Sequence, residues 1–116
     1  VDSIHQQIMF DRKSSGSFRV LDVEDASMTI KITLTPGHGM NYHSHENRDE
    51  VWTVISGTGH AILDGVRRDV KPGDILTMPA GCRHTVFADS ELKIIEVQLG
   101  PAISVEDKQK YPLPQA

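Results

Sequence analysis

A chain of 116 residues is long enough to build one hydrophobic core but not two. Its net charge of −4 and pI near 5.8 give no electrostatic reason to expect nucleic acid or an anionic membrane as partner. No apolar run approaches the roughly 20 residues that a transmembrane helix needs, and no signal peptide opens the chain.

In chain order, an N-terminal arm over residues 1–16 leads to FRVL around Phe18, the first expected strand. ASMTIKITLTPG then alternates cleanly, with Met28, Ile30, Ile32 and Leu34 on one face and Thr29, Lys31, Thr33 and Thr35 on the other. Pro36-Gly37 ends it. VWTVISG is a second such run and HAILDG a third, closing on the hairpin signal Asp64-Gly65. VRRDV, the turn KPGD and ILTMP follow, then strands expected over Arg83 to Phe87 and Leu92 to Leu99. Val105 to Tyr111 carries the only helical pattern, a weak one, and YPLPQA is Pro-rich and extended. Short strands separated by frequent turns predict an all-β sandwich or barrel. The reading is one domain over 1–116, its barrel over about 17–100 and a C-terminal tail over 101–116.

HSHENRDEVW raises a chemical question. Residues i and i+2 of a strand point the same way, so His43 and His45 share a face. If ENRD turns a corner, Glu50 begins the next strand and folds back toward the pair, with Trp52 beside it. The Pro79-Ala80-Gly81 turn delivers His84 at the head of a later strand. Three imidazoles and a carboxylate converging inside a barrel make a first-row transition-metal site: His43, His45 and His84 give neutral nitrogens and Glu50 a negative charge. Two positions stay open, as a catalytic or ligand-binding centre requires.

These residues resemble the two motifs of the cupin family. Gly37, His43, His45, Glu50 and Gly57 match the first, and Gly73, Pro79, Gly81 and His84 match the second. The family's closing Asn falls at Ala88, the one departure. The resemblance implies a jelly-roll barrel, the double-stranded β-helix, holding one divalent metal. Zn, Mn, Fe, Co and Ni all suit the donor set, with Zn or Mn favoured. It also implies a homodimer.

A narrower resemblance, from about Arg12 to Asp107, is to the cupin domain of type II mannose-6-phosphate isomerases. Arg48, Glu50 and Trp52 occupy that family's Arg-x-Glu-x-Trp motif, and Ile95 to Gln98 a characteristic strand. The resemblance implies aldose–ketose isomerisation of a sugar or sugar phosphate, with Arg48 as the candidate catalytic or substrate-contacting residue. Several cations of that family are absent: a lysine falls at Ile30, the entry motif reads Arg12-Lys13-Ser14-Ser15-Gly16, and EDKQKYPLPQ replaces an Arg-rich close. Two alternatives stand beside the isomerase, a non-catalytic small-molecule-binding cupin and a metal-dependent dioxygenase. The general base has no candidate.

The remaining residues read as ordinary structure. His5, His38 and His60 are surface histidines, Arg67 and Arg68 an exposed hairpin face, and Met28, Met40 and Met78 apolar filling. Cys82, the only cysteine, excludes an internal disulfide and suits a reducing cytoplasm. A chain that opens on Val1 is expected to be a processed small protein or a piece of a longer one.

Overall fold

The structure, a computed structural model, describes residues 10–13, 15–104 and 106–114. His5 lies outside the described residues. Among the described residues eleven strands follow one another: β1 (Phe10–Lys13), β2 (Gly16–Glu24), β3 (Ser27–Leu34), β4 (Tyr42–Ser44), β5 (Asp49–Ser56), β6 (Gly59–Leu63), β7 (Val66–Val70), β8 (Ile75–Met78), β9 (His84–Ala88), β10 (Leu92–Leu99) and β11 (Gln109–Tyr111). They form a six-stranded sheet ordered β1-β2-β3-β10-β5-β8 and a five-stranded sheet ordered β11-β4-β9-β6-β7. Every strand pair is antiparallel. The class is all-β, as the sequence predicts, and no helix among the described residues is long and apolar enough to cross a membrane.

Side-chain alternation builds the interior. On β3, Met28, Ile30, Ile32 and Leu34 are buried, and the intervening residues are only partly covered. Trp52, Val54, Leu76, Met78, Leu92 and Ile94 complete a core between the sheets, where Trp52, Leu92 and Ile94 have no exposure. Burying a Trp of this kind contributes about 3–5 kcal/mol against truncation to Ala.

Turn chemistry sets the registers. Asp64 and Gly65 both take positive φ, 45° and 83°, as a two-residue β-hairpin of the primed type demands. Gly57 has φ 85°, and a Cβ there would collide with the carbonyl of Glu91. That close approach is why the last position of the first motif must be glycine.

Two segments differ from expectation. The N-terminal arm holds β1, paired with β2 from Phe10↔Arg19 to Lys13↔Gly16. Nor is there a helix over the described part of 105–111: Gln109 to Tyr111 pair with β4 instead. The weak helical pattern loses because the open edge of β4 offers the backbone a ladder.

Candidate metal centre

The two motifs meet at one end of the barrel. His43 on β4 pairs directly with His84 at the head of β9, so cross-strand register alone sets these rings side by side. Their ring centroids lie 4.3 Å apart. His45 follows β4 immediately, and Glu46 and Asn47 turn the chain into β5, where Glu50 points back inward. The second motif's turn is fastened to this corner: Gly81 N–H donates to the His45 carbonyl at 2.7 Å and Ala80 N–H to the Asp49 carboxylate at 2.8 Å. His43, His45, Glu50 and His84 are all buried.

The tautomers of the three imidazoles follow from their partners. His43 Nδ1 lies 2.6 Å from the Asn41 carbonyl, His45 Nδ1 2.6 Å from the Asp107 carbonyl, and His84 Nδ1 2.9 Å from the Cys82 carbonyl. A carbonyl can only accept, so each Nδ1 carries a proton, and in the neutral ring each Nε2 presents a lone pair. Burial, reinforced by the neighbouring His84, lowers the pKa of His43 to about 3 and keeps it neutral. Among the described residues these three histidines form a set whose ligand atoms lie within 4.8 Å of one another. Three neutral nitrogens so arranged can hold a metal ion.

Glu50 stands against two of them. Its Oε2 is 3.1 Å from His45 Nε2, and its Oε1 is 3.2 Å from His84 Nε2. Glu50 Oε1 and His84 Nε2 have no hydrogen-bond partner although both are buried. Two buried acceptors facing each other without a proton are costly, and a cation between them removes the cost. The residues therefore fit a divalent metal. Burial opposes charge on Glu50, and the Arg48 guanidinium, donating to Oε2, favours it.

Arg48 lies where the motif puts it, and three of its five N–H donors are engaged. Nε donates to Glu50 Oε2 at 2.9 Å, Nη2 to His45 Nε2 at 3.1 Å and Nη1 to the Ser104 carbonyl at 3.1 Å. Its Nε braces Glu50, whereas its Nη2 occupies the His45 Nε2 lone pair, a contact that a metal at that nitrogen would displace.

A second carboxyl escapes the motifs. Glu96 on β10 lies across from Trp52, and Gln98 across from Glu50. Trp52 Nε1–H donates to Glu96 Oε1 at 2.5 Å, and Gln98 Nε2–H to Glu96 Oε2 at 2.8 Å. Complete burial, with the charge of Glu50 added, raises the pKa of Glu96 to about 8. Paired carboxyls pushed in opposite directions are the usual sign of an acid–base couple. The signal was available in IIEVQL, where strand alternation puts Glu96 and Gln98 on one face.

His43, His45, Arg48, Glu50, Glu96 and Gln98 line one side of a cavity of about 610 Å³. Met28, Ile30, Ile32 and Leu34 of β3 form its apolar wall, and Phe18, Met40 and Ile103 extend it. Arg48 and Lys108 are the cations of its lining. Met28 and Met40 thus face the cavity, while Met78 is core. The other flagged residues stay apart: His38 is exposed, His60 stacks on Phe87, and Arg67 and Arg68 are exposed on β7. Burial and the nearby Asp64 push the Cys82 thiol up to about 11, so it is no ready thiolate ligand.

Comparison with known proteins agrees with this architecture. Residues 30–98 match the family model for the Cupin domain. Over 79 residues the chain is 25% identical to mannose-1-phosphate guanylyltransferase of Klebsiella pneumoniae, covering 66% of this chain but only 17% of that protein. Among solved structures, KdgF from Halomonas sp. superposes with a TM-score of 0.75 at 20% identity, over 87% of this chain and 93% of that one. Oxalate decarboxylase of Bacillus subtilis superposes with a TM-score of 0.79 at 19% identity, over 91% of this chain and 30% of that one. With the family match spanning both histidine motifs and most of the barrel, this chain belongs to the Cupin domain family.

Proposed function

We propose that the protein is a metal-dependent cupin acting on a small hydroxylated carbonyl compound, a sugar or sugar phosphate, by aldose–ketose isomerisation of the mannose-6-phosphate isomerase type. The observation that carries this reading is the pairing of two functions in one cavity. Three histidines could hold a metal ion, with Glu50 against two of them, and a second buried carboxyl, Glu96, lines the same cavity. His43, His45, His84 and Glu50 would hold the metal, Zn or Mn before Fe, Co or Ni, which supplies Lewis-acid stabilisation of charge on a substrate oxygen.

The chain's own residues do the rest. Glu96 can hold or release a proton at its carboxyl, which fits it to move a proton between adjacent substrate carbons. Trp52 and Gln98 fix that carboxyl by donating to its two oxygens. Arg48 takes a positioning role in this reading through its bond to Glu50, in place of phosphate contact. The apolar β3 wall and the loss of the family lysine at Ile30 favour a non-phosphorylated or singly charged sugar.

The test is metal analysis of the purified protein, followed by a screen of sugars and sugar phosphates. His45→Ala should abolish metal binding and turnover together. Turnover that persists in the metal-free variant would overturn the reading. Binding at the metal without turnover of any sugar would favour the second reading, a small-molecule-binding module, which the β3 wall also suits. A dioxygenase would instead consume oxygen with a bound organic acid.

We further propose a homodimer through the outer face of the six-stranded sheet, where Ile55 and Ile75 are exposed. A monomeric mass by light scattering at high micromolar concentration would refute it.

A further inference from the structure

The three histidines are not oriented alike. His43 and His84 donate to carbonyls two residues before them, Asn41 and Cys82, so each is set by its own strand. His45 donates instead to Asp107, a residue distant in sequence. The same Asp107 takes the next two amides through its carboxylate, Glu46 N–H on Oδ1 at 2.9 Å and Asn47 N–H on Oδ2 at 2.8 Å. One residue thus grips three consecutive positions, a ring and two peptides, at the corner between β4 and β5. Three residues earlier, the Ser104 carbonyl accepts from Arg48, which holds Glu50. Downstream, β11 pairs with β4, and Tyr111 OH meets Ser44 Oγ at 2.9 Å.

We propose that Asp107 is a positioning residue for the metal centre: its carboxylate clamps the Glu46–Asn47 corner so that its carbonyl fixes the tautomer and direction of His45. Its role rests on the reading of His43, His45 and His84 as a metal site. The described residues of the segment over 103–111 are then a working wall of the site, with Ile103 and Lys108 in the cavity lining as well. A partner that orients a metal-binding histidine is worth about 10–100-fold in metal affinity.

The test compares Asp107→Ala, Asp107→Asn and Tyr111→Phe in the full chain. Tyr111→Phe cuts the strap's tie to Ser44 while leaving His45 untouched. Co(II) affinity, by competition with a chromophoric chelator, should fall about 10–100-fold in Asp107→Ala. The ligand-field spectrum of the bound Co(II) should change with it. Asp107→Asn keeps one acceptor oxygen and should restore part of the affinity. Tyr111→Phe should leave affinity and spectrum at wild-type values. A separate readout uses metal-free protein: the His45 Hδ1 proton should exchange slowly in wild type and quickly in Asp107→Ala. Wild-type affinity and spectrum in Asp107→Ala would overturn the proposal, as would an equal loss in Tyr111→Phe. If Asp107→Ala does not fold, Asp107→Asn decides on the same measurements. Should the wild type bind no metal, the metal reading fails, and the Hδ1 exchange still judges whether Asp107 orients the ring.

Discussion

β3 and β10 are neighbours of equal length, paired from Leu92↔Leu34 to Leu99↔Ser27, yet they treat the barrel interior in opposite ways. β3 sends Met28, Ile30, Ile32 and Leu34 inward. β10 sends Leu92 and Ile94 inward at one end and Glu96 and Gln98 at the other, while Ile95, Val97 and Leu99 face out. A rule that puts the apolar face inside would turn the far half of β10 over. Its other neighbour prevents that, because Glu50 and Trp52 on β5 stand across from Gln98 and Glu96, and Trp52 donates to Glu96. Burying a carboxyl costs several kcal/mol unless donors meet it. Trp52 and Gln98 meet this one. Local rules are broken where function is built, and here the break covers half a strand.

The largest effect should come from making β10 resemble β3. Glu96→Leu removes the proposed proton-moving group while filling its volume with apolar atoms. Turnover of a sugar that the wild type isomerises should fall about 10²–10⁴-fold. Metal content should stay at wild-type stoichiometry, because Glu96 is not among the proposed ligands. Stability should fall modestly: Trp52 Nε1–H and Gln98 Nε2–H both lose their acceptor, each a cost of about 1–3 kcal/mol, and release from burying the carboxyl offsets part of it. Turnover assays, metal analysis and thermal unfolding on the same preparation check all three. Full turnover in Glu96→Leu would remove Glu96 from the mechanism.

A second expectation concerns pH in the metal-free protein. Glu96 has a folded pKa near 8 against 4.5 unfolded, so between those values the native state binds the extra proton. Its contribution to stability is lost as pH rises, with a slope approaching about 1.4 kcal/mol per pH unit. His43 has the opposite sign. Burial lowers it from 6.5 to about 3, so stability rises with pH across that window. The two slopes oppose each other from about pH 4.5 to 6.5, and Glu96 acts without His43 from 6.5 to 8. Denaturant unfolding in chelator should therefore show stability falling over the upper window. Glu96→Gln should abolish that fall, and an unchanged slope would contradict the buried-carboxyl assignment.

The contrast also explains what could be read from the chain. Strands β3 and β5 were legible because alternation and apolar burial coincide there, and Asp64-Gly65 fixed a hairpin by turn chemistry. His43, His45, Glu50 and His84 were legible as a set because their spacing is specific, and the fold brings them together. Glu96 was hidden because a carboxyl in a strand reads as solvent-facing until the pairing register turns it inward. Asp107 was hidden because its partners lie 60–62 residues away, in a segment with only a weak helical pattern. Arg48 was legible from the motif, but its contacts with Glu50, His45 and Ser104 were not, because no local pattern announces them.

The smallest effect should come from the reverse change, giving β3 a polar position. Ile30 stands directly across from Glu96 and lines the cavity, at the position where the mannose-6-phosphate isomerases carry lysine. Directly paired residues on one face of a sheet have Cβ atoms about 4.5–5.5 Å apart, within reach of an ammonium on a carboxyl. In Ile30→Lys the new cation should draw the proton from Glu96, bringing its pKa back toward the usual carboxylate range. The stability decrease between pH 6.5 and 8 should then fade, as in Glu96→Gln, although the carboxyl remains. Because the ammonium is shared with Glu96, affinity for mannose 6-phosphate should rise by no more than about tenfold, or about 1.4 kcal/mol. Calorimetric titration with mannose and mannose 6-phosphate separates these effects, since only the phosphorylated ligand should gain. An undiminished pH slope in Ile30→Lys would mean that the lysine turns away from Glu96, and that the two strands do not share one electrostatic environment across the cavity.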